Sequence, residues 1–70
     1  MTNNILDQKE AKVVYHPVTF EVVEDGDYVI CAVTGHRILL IDLLYWSVEF
    51  QEPYKSHLEA LKVYEERGRI

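Results

Sequence analysis

The stretch YVICAVTGHRILL, residues 28–40, decides the fold. Residues 28–33 are apolar without interruption, which makes them the segment with the strongest β-strand character in the chain. Thr34 and Gly35 then supply turn residues, and residues 36–40 return as the partner strand. The stretch therefore predicts an antiparallel hairpin that must pack against another layer.

Two short β-rich runs precede this hairpin. Residues 12–15 and residues 18–23 both favour strands. Asp25 and Gly26 follow, and an Asp-Gly pair favours the positive φ of a tight hairpin turn. Residues 1–10 show no sustained period and predict a flexible N-terminus, which leaves residues 11–70 as a single small domain.

Residues after the hairpin change from strand signals to helix signals. Residues 41–44 predict a short helical turn and residues 45–50 an extended, aromatic-rich segment. Residues 51–55 contain Pro53, which removes a strand hydrogen-bond donor, so we expect a connection there.

The clearest boundary in the chain is the start of the C-terminal helix. Ser56 and Glu59 match a capping box, in which the Ser56 hydroxyl accepts the Glu59 N–H and Glu59 reaches back. At about 100° per residue, five apolar side chains share one broad face, expected to pack inward: Leu58, Ala60, Leu61, Val63 and Tyr64. The predicted fold class is α+β: a small antiparallel sheet, with a zinc-ribbon-like hairpin without metal, and one C-terminal helix.

Composition limits the classes of partner. Twelve acidic and seven basic side chains give a net charge of −5, which repels phosphate backbones, so we expect no nucleic-acid partner. No apolar run approaches the length of a membrane span, so we expect no membrane partner. The single cysteine and the polar first ten residues, which predict no signal peptide, favour the reducing cytoplasm.

The Cys31 turn resembles a zinc knuckle with one ligand missing. Thr34 stands where a knuckle has its second cysteine, and a threonine hydroxyl is not a zinc ligand. We therefore predict no metal and no cofactor. The alternative interpretation is a metal-binding or redox-sensing domain centred on Cys31 with His36.

No recognisable catalytic constellation occurs in the sequence. A nucleophilic cysteine needs a lowered pKa and a nearby base, whereas burial in an apolar strand is expected to raise the pKa of Cys31. There is no Gly-rich phosphate loop, helix-borne His pair or nucleophile elbow. We predict a non-enzymatic protein with no catalytic residues.

Surplus apolar side chains predict an interaction surface. Residues 38–41 are apolar without alternation, so at least one side chain is left over, and Leu39 and Leu44 are the candidates. Tyr45 and Trp46 are adjacent on a strand and cannot enter the same core. Two interpretations compete with an interaction surface. In one, Trp46 packs in the core; in the other, the strand that contains residues 38–41 is covered on both faces by the N-terminal segment and the helix. The predicted partner is a protein, with a homodimer as one form, because so small a domain gains little net stability from its own core.

Two motifs together resemble a known family. They are C-A-V-T-G at residues 31–35 and Y-W-S-V at residues 45–48, and the resemblance extends over residues 11–61. The family is the group of short, mostly alphaproteobacterial proteins called domain of unknown function two thousand and ninety-three. The resemblance implies a cytosolic single-domain protein with no assigned activity or cofactor. Its pattern often has proline where this chain has Leu39 and a basic residue where it has Leu44, and both departures increase apolar exposure.

Overall fold

The computed structural model describes residues 8–68, which form three short hairpins followed by a helix. The strands pair in sequence order as three antiparallel two-stranded sheets, β1–β2, β3–β4 and β5–β6. This confirms an α+β fold with small hairpin sheets and a C-terminal helix. Most of the predicted flexible N-terminus, residues 1–7, lies outside the described residues. The elements are β1 (Lys12–Tyr15), β2 (Phe20–Glu24), β3 (Tyr28–Ile30), β4 (Arg37–Leu39), a 3₁₀ turn (Leu40–Asp42), β5 (Tyr45–Ser47), β6 (Glu52–Tyr54), α1 (His57–Val63) and a π-helical turn (Tyr64–Gly68).

The central hairpin forms as predicted but with shorter strands. Val29 pairs with Ile38 in the β3–β4 register. The first strand ends early because the Gly35 N–H donates to the Cys31 carbonyl at 3.0 Å, which closes a turn. Gly35 has a φ of 79°, a left-handed value that only glycine adopts without strain.

The prediction of a tight hairpin turn at Asp25 and Gly26 is wrong. β2 pairs with β1, and β3 pairs with β4, so no hairpin spans these two residues. Gly26 is needed for space, because an added Cβ would lie 2.3 Å from the Ala11 backbone nitrogen. At this crossing the Ala11 N–H donates to the Tyr28 carbonyl at 2.7 Å.

The expected connection around Pro53 is instead a strand. β6 pairs with β5, with Pro53 opposite Trp46. A two-stranded sheet has only edge strands, where a residue without an N–H is tolerated. The Pro53 carbonyl accepts the Ala32 N–H at 3.0 Å, so this strand also contacts the turn of the central hairpin.

The core forms where the hairpins meet. An isolated two-stranded hairpin is marginally stable in water, so each one depends on its neighbours. Gln51 joins two of them, since its side-chain amide accepts the Tyr15 N–H at 2.9 Å and donates to the Tyr15 carbonyl at 2.8 Å. The buried cluster consists of Ala11, Tyr15, Val29, Cys31, Ile38 and Leu43.

The helix begins where the sequence predicted, although its capping contacts differ in detail. Ser56 is the N-cap, and its hydroxyl accepts the Leu58 N–H at 3.2 Å instead of the Glu59 N–H. The same hydroxyl donates a hydrogen bond to the Glu59 carboxylate. This hydrogen bond is the main reason that the pKa of Glu59 is lowered.

The prediction that a broad apolar face of the helix packs inward is wrong. Val63 is the residue that α1 buries, and Ala60 is half-buried beside it. A single helix on a two-stranded hairpin meets a narrow surface, so the remaining apolar residues of that face point to solvent. Three of them are at least half exposed: Leu58, Leu61 and Tyr64.

Candidate functional site

Residues 39–45, here called the apolar stretch, expose several large apolar side chains. Leu44 is 71% exposed, and Leu39 and Tyr45 are each more than a third exposed. Asp42 is the one charged residue in the stretch. Leu43 is buried in the core, so its side chain anchors the stretch while its neighbours face outward.

Ile41 belongs to this surface and was missed from the sequence. Its side chain is 88% exposed, more than that of any of the four predicted interface residues. The Leu43 N–H donates to the Leu40 carbonyl at 3.2 Å, which closes the 3₁₀ turn. With three residues per turn, Leu40 and Leu43 fall on the inner side and Ile41 on the outer side. That i, i+3 relation is the signal that could have identified Ile41.

Trp46, the fourth predicted interface residue, is largely engaged within the chain. Its indole N–H donates to the His16 carbonyl at 2.8 Å. Its ring lies edge-on to Phe20 at a centroid distance of 5.6 Å and tilted against Tyr15 at 6.0 Å. The adjacent Tyr45 points to the other side of β5. The structure thus separates these two aromatic side chains.

Tyr45 connects the apolar stretch to the helix. Its ring centroid lies 6.2 Å from that of His57, the first residue of α1. Beyond His57 lie the exposed side chains of Leu58, Leu61 and Tyr64, here called the helix stripe. The stretch and the stripe therefore meet at the contact between Tyr45 and His57.

A shallow groove of about 280 Å³ separates the β5–β6 hairpin from the helix. Trp46, Phe50, Tyr54 and Tyr64 contribute aromatic walls to it. The Arg67 guanidinium lies 4.6 Å from the Phe50 ring centroid and pairs with Glu52 nearby. These contacts fasten the end of the helix to the hairpin.

The Cys31 thiol is enclosed, with only 2% of the residue exposed. Its sulfur accepts the backbone N–H of Thr34 at 3.5 Å and that of Lys55 at 3.4 Å. Burial alone would raise the pKa of Cys31, but hydrogen bonds from the Thr34 hydroxyl and from the N–H groups of Thr34, Val33 and Lys55 together lower it. The predicted direction of the pKa shift was wrong, because the strand ends before Cys31 and leaves backbone donors that point at the sulfur.

Two further features concern metals and membranes. Across residues 8–68, no group of three His, Cys, Asp or Glu side chains is placed to hold a metal ion. His36 meets Cys31 through its backbone carbonyl, and its side chain is exposed. In the same part of the chain, no helix has the length and apolar character needed to cross a bilayer.

Residues 8–68 define a small α+β protein built from three hairpins and a C-terminal helix. Residues 22–63, more than half of the chain, match the family described as "Uncharacterized protein conserved in bacteria (DUF2093)". The chain belongs to this bacterial family, as the C-A-V-T-G and Y-W-S-V motifs indicated. The matched region contains both the Cys31 turn and the apolar stretch. No curated protein and no solved structure matches the chain.

Proposed function

We propose that this protein is a non-enzymatic protein-interaction module that contacts a protein partner through the apolar stretch. The observation that carries the proposal is the exposure of Ile41 and Leu44, at 88% and 71%, beside a single charged residue, Asp42. Fully burying one such side chain contributes about 1.5–3 kcal/mol, which the free chain leaves unused. Tyr45, with an apolar ring and a polar hydroxyl, is the residue type that commonly anchors interfaces.

The environment of Cys31 supports a non-enzymatic role. Its sulfur bonds to the backbone N–H groups of Thr34 and Lys55, and the residue is almost fully covered. A catalytic nucleophile must reach a substrate and sit beside a base. The sulfur is used instead as an acceptor that holds two loops together.

Charge and cysteine content support the rest of the proposal. A net charge of −5 disfavours nucleic acid as the partner. A chain whose single cysteine is a buried free thiol suits a reducing compartment, so we place the module in the bacterial cytoplasm.

Site-specific photo-crosslinking tests the proposal in cells of the native host. A photoreactive amino acid replaces Leu44, and a matched variant carries it at Val18, an 89% exposed residue between β1 and β2. We expect a discrete covalent adduct with one protein from position 44 and none from position 18. Equal, diffuse labelling from both positions would refute a specific contact at the apolar stretch.

The alternative function, redox sensing at Cys31, is favoured by one observation, the lowered pKa of the thiol. A thiol reagent applied at neutral pH separates the alternatives. If the protein is an interaction module, Cys31 of the folded protein should react with the reagent only as fast as the chain unfolds locally around it. Denaturant should then accelerate the reaction strongly. Ready reaction of the folded protein would favour the redox role.

A further inference from the structure

The groove between the β5–β6 hairpin and the helix presents aromatic rings and a carboxylate to the same space. Trp46, Phe50 and Tyr54 line it from the hairpin, and Tyr64 lines it from the π-helical turn. Glu49, in the loop between β5 and β6, is the one carboxylate among the described residues that line it. The face of an aromatic ring carries the negative part of its quadrupole, and a carboxylate carries a full negative charge. Together these groups favour a positively charged occupant.

The other polar side chains of the groove are already used within the chain. The Ser47 hydroxyl accepts the Phe50 N–H at 2.9 Å, and the Tyr54 hydroxyl donates to the Glu52 carboxylate at 3.2 Å. Glu49, in contrast, takes part in none of the ion pairs formed within residues 8–68. An occupant of the groove therefore meets ring faces and one negative charge, but few hydrogen-bond acceptors.

One wall of the groove already holds a cation that belongs to the chain itself. The Arg67 guanidinium lies 4.6 Å from the Phe50 ring centroid, which is within the range of a cation–π interaction. The same guanidinium pairs with the Glu52 carboxylate. This contact combines a ring face with a carboxylate, and Tyr64 and Glu49 present the same two kinds of group to the groove.

We propose that this groove binds a small free quaternary ammonium ion of the choline type. Such an ion carries its charge without N–H groups, and aromatic faces are the groups that commonly recognise it. A primary ammonium or a guanidinium instead needs several acceptors for its N–H groups. The hydroxyls of Ser47 and Tyr54 are engaged within the chain, so the groove suits the ion that needs fewest acceptors.

Size and position complete the assignment. The groove holds about 280 Å³, just below the roughly 300–1,000 Å³ of sites for drug-sized molecules, so it suits a smaller ligand. None of the residues that line it belongs to the apolar stretch. The groove is therefore a second site, and its occupancy is independent of the protein contact proposed above.

Titration of the full chain with choline chloride, followed by amide chemical shifts and Trp46 fluorescence, tests the proposal. We expect saturable shifts centred on the groove, with a dissociation constant in the millimolar range, and none with sodium chloride at equal ionic strength. The neutral isostere of choline, in which a quaternary carbon replaces the nitrogen, should bind at least about fivefold more weakly, because it lacks the attraction to ring faces. Equal affinity for choline and its isostere, or no saturable shift with choline, would overturn the proposal.

Two variants of Tyr64 test the aromatic wall. Tyr64→Leu removes a ring face and should raise the dissociation constant for choline about threefold to fivefold. Tyr64→Phe keeps the ring and is the matched control, so its affinity should equal that of the wild type. Tyr64 is 60% exposed, so neither change opens a cavity in the core. Equal affinities of the two variants would overturn the assigned ring contact.

A carboxylate pair tests the charge. Glu49→Gln should weaken choline binding about twofold to fivefold and leave the binding of the neutral isostere unchanged, because it removes a charge beside the ligand. Glu24→Gln, at an exposed carboxylate of β2, makes the same change in net charge and should leave both affinities unchanged. Equal losses in the two variants would show a general effect of net charge and overturn the role of Glu49.

Phosphatidylcholine vesicles distinguish the free ion from the same group on a lipid. In the lipid a phosphate lies next to the ammonium group, and the net charge of −5 on the chain repels it. We therefore expect the protein to stay in the supernatant when the vesicles are sedimented. Sedimentation with the vesicles, without binding of free choline, would overturn the assignment of a free ion.

Discussion

Ile38 and Ile41 lie three residues apart and have opposite environments. Ile38, in β4, is 2% exposed, whereas Ile41, in the following 3₁₀ turn, is 88% exposed. Each has one leucine and one charged residue as its immediate neighbours, so local composition does not separate them. The difference is that Ile38 faces the other hairpins, while Ile41 lies on the outer side of a turn whose inner side is taken by Leu43. Coverage by another element, and not hydrophobicity, decides which side chain is buried.

The same contrast distinguishes the central hairpin from the helix. The hairpin places Val29, Cys31 and Ile38 in one cluster shared with the first hairpin. The helix buries Val63 and leaves the helix stripe in solvent. We therefore expect the hairpins to account for most of the stability of the free chain and the helix and stretch to account for its binding.

The largest expected effect tests this comparison by substituting each of the two isoleucines. Ile38→Ala should lower the free energy of unfolding by about 2–5 kcal/mol, since it leaves a cavity in the core. Ile41→Ala should change it by less than about 0.5 kcal/mol. Urea denaturation followed by Trp46 fluorescence at low protein concentration measures both. Ile38→Val, at about 0.5–1.5 kcal/mol, keeps the test readable if the alanine variant unfolds. Similar losses at both positions would contradict the comparison.

The pH dependence of stability that arises from Tyr15, a buried residue, gives a second test of the comparison. Burial, with the charge of Glu10 as a smaller cause, raises the pKa of Tyr15 to about 12. Below about pH 10 both the folded and the unfolded states hold the proton, and stability is unaffected. Between about pH 10 and 12 the unfolded state loses it first, so stability falls by about 2–3 kcal/mol.

Denaturation at pH 8 and at pH 11, in the wild type and in Tyr15→Phe, measures this effect. The variant should lose most of the alkaline decline, and the remainder reflects Tyr54, whose pKa is raised mainly by burial and then by Glu52. Tyr45→Phe, at a more exposed tyrosine, is the control and should keep the full decline. An unchanged decline in Tyr15→Phe would show that Tyr15 does not hold its proton through packing.

The smallest expected effect lies in the helix. Ser56→Ala removes the acceptor of the Leu58 N–H and should cost about 1 kcal/mol. Ser56→Asp keeps an acceptor at the cap and should restore most of it. Helical circular dichroism and urea denaturation measure both variants. A loss from Ser56→Ala as large as that from Ile38→Ala would show that the helix, and not the hairpins, dominates stability.

Sequence patterns predicted the local elements better than their pairing. Lys12–Tyr15, the Gly35 turn and the Ser56 cap each follow from residues within a few positions of one another. The Gly26 crossing and the Pro53 strand were missed because both depend on backbone that folding places beside them: Ala11 beside Gly26, and Trp46 and Ala32 beside Pro53.

The candidate surface shows the same limit. Leu39 and Leu44 could be named from an apolar run too long to alternate, but not Ile41, whose exposure depends on a 3₁₀ turn. The lowered pKa of Cys31 was also missed, because its main lowering causes are hydrogen bonds from the Thr34 hydroxyl and N–H, which form only because the strand ends at Ile30; the N–H of Lys55, 24 residues away, contributes least.

The Gln51 side chain has a consequence for aggregation. An unpaired strand edge is a template on which another chain can add a strand and begin a fibril. At Tyr15 that template is already occupied, because the Gln51 amide bonds both the N–H and the carbonyl that a foreign strand would need. A chain that leaves several large apolar side chains exposed thereby blocks strand addition at one of its strand edges.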